Sequence, residues 1–564
     1  MIKQVRIALY IAFFFVALTL WNQWQAEHTQ HTKKEASQNN TQQSSQPSSG
    51  PPSASQVGIN QPSSKQAKQT KPQHQQHLSS THNNQLITVN TDVLHLKINP
   101  NAGKIVKAWL PDYGQNDAPS KPYHLLNTQP DQFYVAQSSL TNIPGLDNQP
   151  IPFKPKQTHY KLKQDQNQLT IPLTWQSPNG LKVTKTYVLQ KGSYNIHVRY
   201  HIQNQGQQTW QGRLYMQTQQ KKNKKGHKDH LIAFHSFYGV ALSTPDEPFQ
   251  KISFDHLESS PIQKTIKGGW LAFVQHYFLT AWVPNSKENF HYYSHADNNQ
   301  GVYTAGMLSP TITLKPGQSV TKSSQFYVGP KVAENLKAVA PHLSLTIDYG
   351  WLWFISIAIF WLMKHIHAYV GNWGWSIVLV TLFIKLLFYK LSEKSYRSMA
   401  KMRALQPKIE KLKEQYGDDK QKLSKATMEL YRQEKANPLG GCLPILVQIP
   451  VFIALYWVLA ESVQLRQAPF ILWIHDLSSP DPYYILPILM GLSMFIQQKL
   501  NPKPADDMQA KMMMILPLVF TFLFLHFPAG LVLYWVVNNS LSILQQWYIM
   551  RRFDQGAYKT SKKK

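Results

Sequence analysis

Tyr349-Gly350-Trp351-Leu352-Trp353-Phe354-Ile355-Ser356-Ile357-Ala358-Ile359-Phe360-Trp361-Leu362-Met363-Lys364-His365-Ile366-His367-Ala368-Tyr369-Val370 is aromatic and apolar until Lys364 and the histidines close it. How this stretch lies decides everything downstream. If it crossed a membrane, the next apolar run, 375–389, would return outward. Residues 391–436, with twelve Lys or Arg against seven acids, would then lie outside. Basic loops belong on the cytoplasmic side, so segment 344–371 is read as an interfacial amphipathic helix resting on the outer leaflet.

Further along, apolar runs of membrane length occupy 373–391, 438–460, 483–497, 512–526 and 531–549, a five-span core over 372–549. The loop 464–482 between two of them carries one basic residue, Arg466, whereas the tail 550–564 holds Arg551, Arg552, Lys559, Lys562, Lys563 and Lys564. At the start, Lys3 and Arg6 precede an unbroken apolar run over 7–21, which suits a signal anchor in segment 1–24. No pair of small residues follows Trp21 at cleavage spacing, so the anchor is expected to stay. The reading is a polytopic α-helical membrane protein of six spans, five of them forming the core, with both termini cytoplasmic.

Between anchor and interfacial helix lie two different segments. Residues 25–85 are Gln, Ser, Asn, Pro and His with almost no large apolar side chain, a composition for a disordered linker. Residues 86–343 alternate with period two, as in Leu94, Leu96, Ile98 and in Leu169, Ile171, Leu173, Trp175. The run 181–189, a turn containing Gly192 and the run 194–202 read as a hairpin, and the whole as a large external all-β sandwich.

Composition narrows the function. The 564 residues have a mean hydropathy of −0.35, which averages a polar first half with an apolar second half. The formal charge of +28 is spread over linker, domain, loops and tail, so sequence-specific nucleic-acid binding is not expected. Cys442 is the single cysteine, which removes both an intramolecular disulfide and a cysteine zinc cluster. There is no phosphate-cradling glycine loop, no His-Glu-x-x-His and no nucleophile elbow, so no enzyme, metal or cofactor is expected.

What remains is polarity placed inside the membrane. Lys385 interrupts the apolar run 377–389, and a cation there costs several kcal/mol unless it finds water, a partner or a task. Counted from residue 391, it lies about 9 Å from the cytoplasmic helix end. Its stem could snorkel to the inner headgroups, or it could mark a water-filled groove open to the cytoplasm, with Thr381 one turn earlier and Gln448 on the next span. Pro444 and Pro450 in that span, after Gly440 and Gly441, suggest irregular backbone. In 391–436, apolar residues at helical intervals flank a turn at Tyr416-Gly417-Asp418-Asp419, which reads as a helical hairpin. Its Lys401, Arg403, Lys408, Lys411 and Lys413 form a solvated face or a docking surface.

Several stretches carry a family resemblance. Asp348-Tyr349-Gly350-Trp351-Leu352-Trp353-Phe354, Ser398-Met399-Ala400-Lys401-Met402-Arg403, Asn437-Pro438-Leu439-Gly440-Gly441-Cys442, Leu465-Arg466-Gln467-Ala468-Pro469-Phe470 and Phe527-Pro528-Ala529-Gly530-Leu531-Val532-Leu533-Tyr534-Trp535 resemble the YidC insertases of Gram-negative bacteria. The resemblance implies an external β-supersandwich and five core spans around a hydrophilic groove open to cytoplasm and lipid. In that family the groove cation is usually arginine, so Lys385 is a departure that keeps the charge and loses the planar fork. Lys390 stands where a proline is expected. Ile449, Phe452, Phe520 and Phe524, with Tyr534 and Trp535, are the implied apolar contacts for a sliding substrate helix.

The implied function is insertion and chaperoning of integral membrane proteins. Its partners would be nascent membrane proteins, the bilayer, and a Sec-type translocon and ribosome, with no small-molecule ligand. A secondary transporter using Lys385 is the rival, although neither an inverted repeat nor an intramembrane acid supports it. A second rival makes the β-domain a sugar-binding module, which fold alone cannot establish.

Overall fold

The computed structural model describes residues 85–115, 118–146, 149–222, 237–417, 419–434, 443–501 and 507–561. The anchor, nearly all of the linker, and Cys442 with its two preceding glycines lie outside them.

Alternation of buried and exposed positions pleats residues 87–330 into two stacked sheets. One runs Gln263–Lys267, Asn289–Asp297, Val302–Leu308, Leu214–Lys221, Tyr134–Leu140, Lys104–Gly114, His95–Asn99, Ile87–Asn90 and His159–Lys161, with Pro122–Leu126 also paired to Lys104–Gly114. The other runs Gln250–Ser253, Gly239–Ser243, Trp270–Val274, Phe278–Val283, Ser319–Pro330, Asn195–Asn204, Leu181–Gln190, Gln168–Gln176 and Lys154–Pro155. All ladders are antiparallel except the one between Ile87–Asn90 and His159–Lys161. The expected hairpin is present with Ile196 opposite Leu189 and Ile202 opposite Val183, and its turn uses Gly192 at φ +70°, where a Cβ would strain the backbone.

Side chains from both inner faces interdigitate, among them Leu96, Ala136 and Met216 from one sheet and Val183, Val198 and Phe273 from the other. Polar ties cross this core. Lys185, fully buried, donates to the carbonyls of Ala102, Gly103 and Ser138 at 2.8–3.0 Å, and the Tyr200 hydroxyl donates to Ser138 O at 2.7 Å. A buried ammonium needs such an acceptor set.

Eleven helices are described. The β-domain contains α1 (Phe254–Ser259) and leaves through α2 (Ala333–Val339). Then follow α3 (Trp353–Val370), α4 (Trp373–Leu387), α5 (Tyr389–Ala404), α6 (Gln406–Tyr416), α7 (Lys420–Gln433), α8 (Leu443–Glu461), α9 (Ile485–Leu500), α10 (Asp507–Phe524) and α11 (Ala529–Ser561). In the bundle α11 packs against α4, α5 and α9, α10 against α9, and α3 against α4 and α8.

By length and composition α3 is, among the described residues, the one single helix able to cross a membrane. Its contacts run the other way. Ahead of it, the Tyr349 hydroxyl meets Ser462 at the end of α8, and just beyond it Asn372 Nδ2 donates to the carbonyls of Pro469 and Phe470, at 3.2 Å each, in the loop after α8. Lys364 pairs at 2.6 Å with Glu334 of α2. Both ends of α3 therefore stay at the same end of α8.

Three boundaries differ from the sequence reading. The run 373–391 breaks at Phe388, where α4 and α5 meet at 68°. The hairpin 391–436 comprises three helices, because Pro407 opens α6 directly after a break at Leu405. Helix α8 is continuous through Pro450, so the described part of that span has no unwound backbone.

Candidate functional site

Residues Asn539, Ser542 and Gln546 of α11 recur at i, i+3 and i+7, so they share one face of the helix. All three are buried. That face meets α4 through Lys385, α5 through Tyr396 and α9 through Ser493. Lys385 Nζ lies 2.6 Å from Ser542 Oγ, which donates in turn to the carbonyl of Asn538 at 2.7 Å and meets the Tyr396 hydroxyl. Asn539 Nδ2 donates to Ser493 Oγ at 3.0 Å, and Gln546 Nε2 to the carbonyl of Leu500 at 3.2 Å. The result is a polar seam running the length of about two helical turns.

Lys385 is 7% exposed, and among the described residues no ion pair involves it. It occupies the last turn of α4, about 3 Å from the helix end rather than the expected 9 Å, because the helix stops at Leu387. The C-terminal end of a helix favours a cation. The ammonium turns inward to Ser542, so its stem does not snorkel outward. Thr381 is buried and donates its hydroxyl to the carbonyl of Ile377 at 2.6 Å, while Gln448 is half-buried on α8.

Six residues were expected to present an apolar slide. Phe452 packs edge-on against Trp535 at 4.4 Å, and Phe520 and Phe524 lie 6.3 and 4.8 Å from the same indole. Ile449 is exposed, but Phe524 and Tyr534 are buried, because they fill the space between α8, α10 and α11. Those two back the cluster, Tyr534 against Phe452 and Phe524 against Trp535. The exposed apolar face of α10 is formed by Met514, Ile515, Leu518, Val519 and Phe522.

The β-domain is fixed to the outer end of α8. Lys331 Nζ and Glu461 Oε2 are 2.8 Å apart with both side chains 2% exposed, and Lys331 also reaches the carbonyl of Thr346 at 3.4 Å. Arg466 donates to the carbonyl of Gly114 at 2.6 Å and lies over the rings of Tyr123 and Phe278 at 5.3 and 5.6 Å. His276 Nε2 is 2.8 Å from the carbonyl of Ala460. On the side of α3, the Lys364 ammonium beside Glu334 holds that carboxyl below its usual range.

On the hairpin, Lys401, Arg403, Lys408, Lys411 and Lys413 are all exposed, with Lys408 paired to Glu434 at 2.5 Å. Met402, Leu405, Ile409 and Tyr431 form its own small core. The sequence reading missed Ser542, Asn539, Ser493 and Tyr396. Polar residues at helical spacing within the last apolar run were the available signal for the first two.

A helical bundle with a buried, inward-facing lysine, joined to an external β-sandwich, has the features of an integral membrane protein. Residues 86–362 match the family described as YidC periplasmic domain, and residues 365–556 the family described as 60Kd inner membrane protein. "Membrane protein insertase YidC" of Legionella pneumophila (strain Paris) is 49% identical over 553 residues, covering 97% of each chain. The protein of that name from Coxiella burnetii (strain Dugway 5J108-111) is 46% identical over 556 residues, covering 97% of this chain and 96% of its own. A solved structure titled as an active YidC insertase with its first transmembrane domain resolved covers 82% of this chain and 92% of its own, at 17% identity and a TM-score of 0.38. The chain belongs to the YidC family of membrane protein insertases. It is an inner-membrane protein with a periplasmic β-sandwich domain, and nascent membrane proteins are its substrates. The transporter reading finds no support among these relatives.

Proposed function

We propose that a nascent segment approaches from the cytoplasm, that its polar flank enters the seam at Lys385, and that its apolar part leaves into lipid along α8 and α10. The carrying observation is Lys385: a buried cation whose partner is a hydroxyl can still accept an acidic or polar group from a substrate. Thr381 and Gln448 would line the same path. A polar group otherwise crosses hydrocarbon at several kcal/mol when unsatisfied, and the hydroxyls and amides of α11 and α9 lower that barrier. Ile449, Phe452, Phe520 and Trp535 would guide the apolar part.

The topology of this reading has six spans: the N-terminal anchor, α4, α8, α9, α10 and α11, with both termini cytoplasmic and α3 lying in the outer interface. The contacts of α3 at one end of α8 support that placement, as do its exposed Trp353, Phe354 and Trp361. Helices of 15 to 19 residues, as in α4, α8, α9 and α10, reach about 22–28 Å. That is less than a hydrocarbon core of about 30 Å, and short spans thin the bilayer around them. The exposed basic residues Lys401, Arg403, Lys411 and Lys413 would dock the ribosome, and a Sec-type translocon would share some clients.

The test is protease-protected insertion of a small single-span substrate into liposomes holding only this protein, with empty liposomes and Lys385→Glu for comparison. Protection that requires the protein and fails with Lys385→Glu is the expected result. Equal insertion by wild type and Lys385→Glu for every substrate overturns the electrostatic part.

A further inference from the structure

On the ten-stranded sheet, the face turned away from the sandwich core holds a cavity of about 650 Å³. Its floor crosses five neighbouring strands. Gln137 lies opposite Gln217, and Thr304 opposite both Gln219 and His295. The turn carrying Asp297 and the segments carrying Lys104 and Phe133 form its walls. Outer faces of sandwich sheets are ordinarily washed by solvent. Here Gln217 is only 1% exposed, and its side chain is held by the Tyr293 hydroxyl, which donates to Oε1 at 2.7 Å. Its Nε2 is buried and, among the described residues, has no hydrogen-bond partner.

We propose that this cavity is a binding site for an acidic glycan. The lining side chains are mostly amides, joined by the Thr304 hydroxyl, and these both donate and accept, as a row of sugar hydroxyls requires. Phe133 supplies an apolar ring in the wall, and Lys104 and Lys221 outnumber Asp297, which favours a ligand carrying a carboxylate. A peptide is less well suited, because peptides dock by adding to an open strand edge, whereas these five strands are already paired on both sides. A lipid chain would need an apolar lining. The volume falls in the range of about 300–1,000 Å³ usual for small-molecule sites. The proposal runs against the expectation that no small molecule binds, and the cavity lies in a domain facing the periplasm.

The full chain in nanodiscs would be titrated by isothermal calorimetry with the disaccharide of N-acetylglucosamine and N-acetylmuramic acid, with maltotriose, and with an acidic tetrapeptide. Lys104→Ala and Gln217→Leu would be measured beside the wild type, with substrate insertion as the check that each variant folds. The acidic disaccharide should bind at least tenfold more tightly than maltotriose, and each substitution should weaken it at least tenfold while insertion is unchanged. No heat with the disaccharide at millimolar concentration, unaltered binding in Lys104→Ala, equal binding of maltotriose, or preference for the tetrapeptide would each overturn the proposal.

Discussion

Two lysines are almost equally hidden in this protein and are treated in opposite ways. Lys331, at the joint between β-domain and bundle, faces a carboxylate, Glu461, at 2.8 Å. Lys385, in the seam of the bundle, faces a serine hydroxyl at 2.6 Å. A joint needs one stable arrangement, and opposite charges fix it. A site that must receive different polypeptides needs a charge that is held in place and still unneutralised. On the proposed reading, the difference separates structural burial from working burial within one chain.

The sharpest way to break this contrast is to unpair the joint. Glu461→Leu leaves Lys331 buried without its counter-charge and should destabilise the docked state by about 3–5 kcal/mol, read as a fall in thermal unfolding temperature of the purified protein. The double substitution Lys331→Met with Glu461→Leu should recover most of that loss. If the single and double variants melt together, the pair does not hold the joint. Arg466→Ala comes next, at about 1.5–3 kcal/mol for a lost charged hydrogen bond, and the same melt measures it. Lys385→Ala should leave melting close to wild type and slow insertion of a substrate with an acidic flank about tenfold, or about 1.4 kcal/mol of barrier. Ser542→Ala should do less, about 0.5–1.5 kcal/mol, visible as slower insertion with Lys385 present and no further slowing in the Lys385→Ala background. The smallest effect belongs to Glu334, whose carboxyl is held below its usual value near 4.5 by Lys364. A depressed carboxyl stabilises above its unfolded value, and that contribution is lost as pH falls through the lower, folded one. A spin-label distance between α2 and α3 should therefore lengthen on acidification below about pH 4.5, and Glu334→Gln should remove the dependence.

Much of the fold was legible because it rests on local periodicity. The hairpin over 181–204 is written in alternating Leu181, Val183, Tyr194, Ile196 and Val198, and its turn in Gly192. Lys385 stood out as a charge in an apolar run. What stayed hidden depends on residues far apart: Lys331 and Glu461 are 130 positions distant, and neither shows by itself that it is buried. The elbow at Phe388 was hidden for another reason. Lys390 replaces an expected proline, so no helix breaker marks the place, and the helical pattern reads on to residue 391. The burial of Phe524 and Tyr534 stayed hidden because an aromatic residue in a span looks alike whether it faces lipid or a neighbouring helix.

The elbow gives the bundle a mechanical property. Because α5 turns by 68° at Phe388, Tyr396 comes back to the hydroxyl of Ser542 that also holds Lys385. The hairpin and the buried ammonium are thus two ends of one crank with a single hydroxyl as its pin, and on the proposed reading a load taken up on the hairpin would be felt first as a change in what Lys385 can hold.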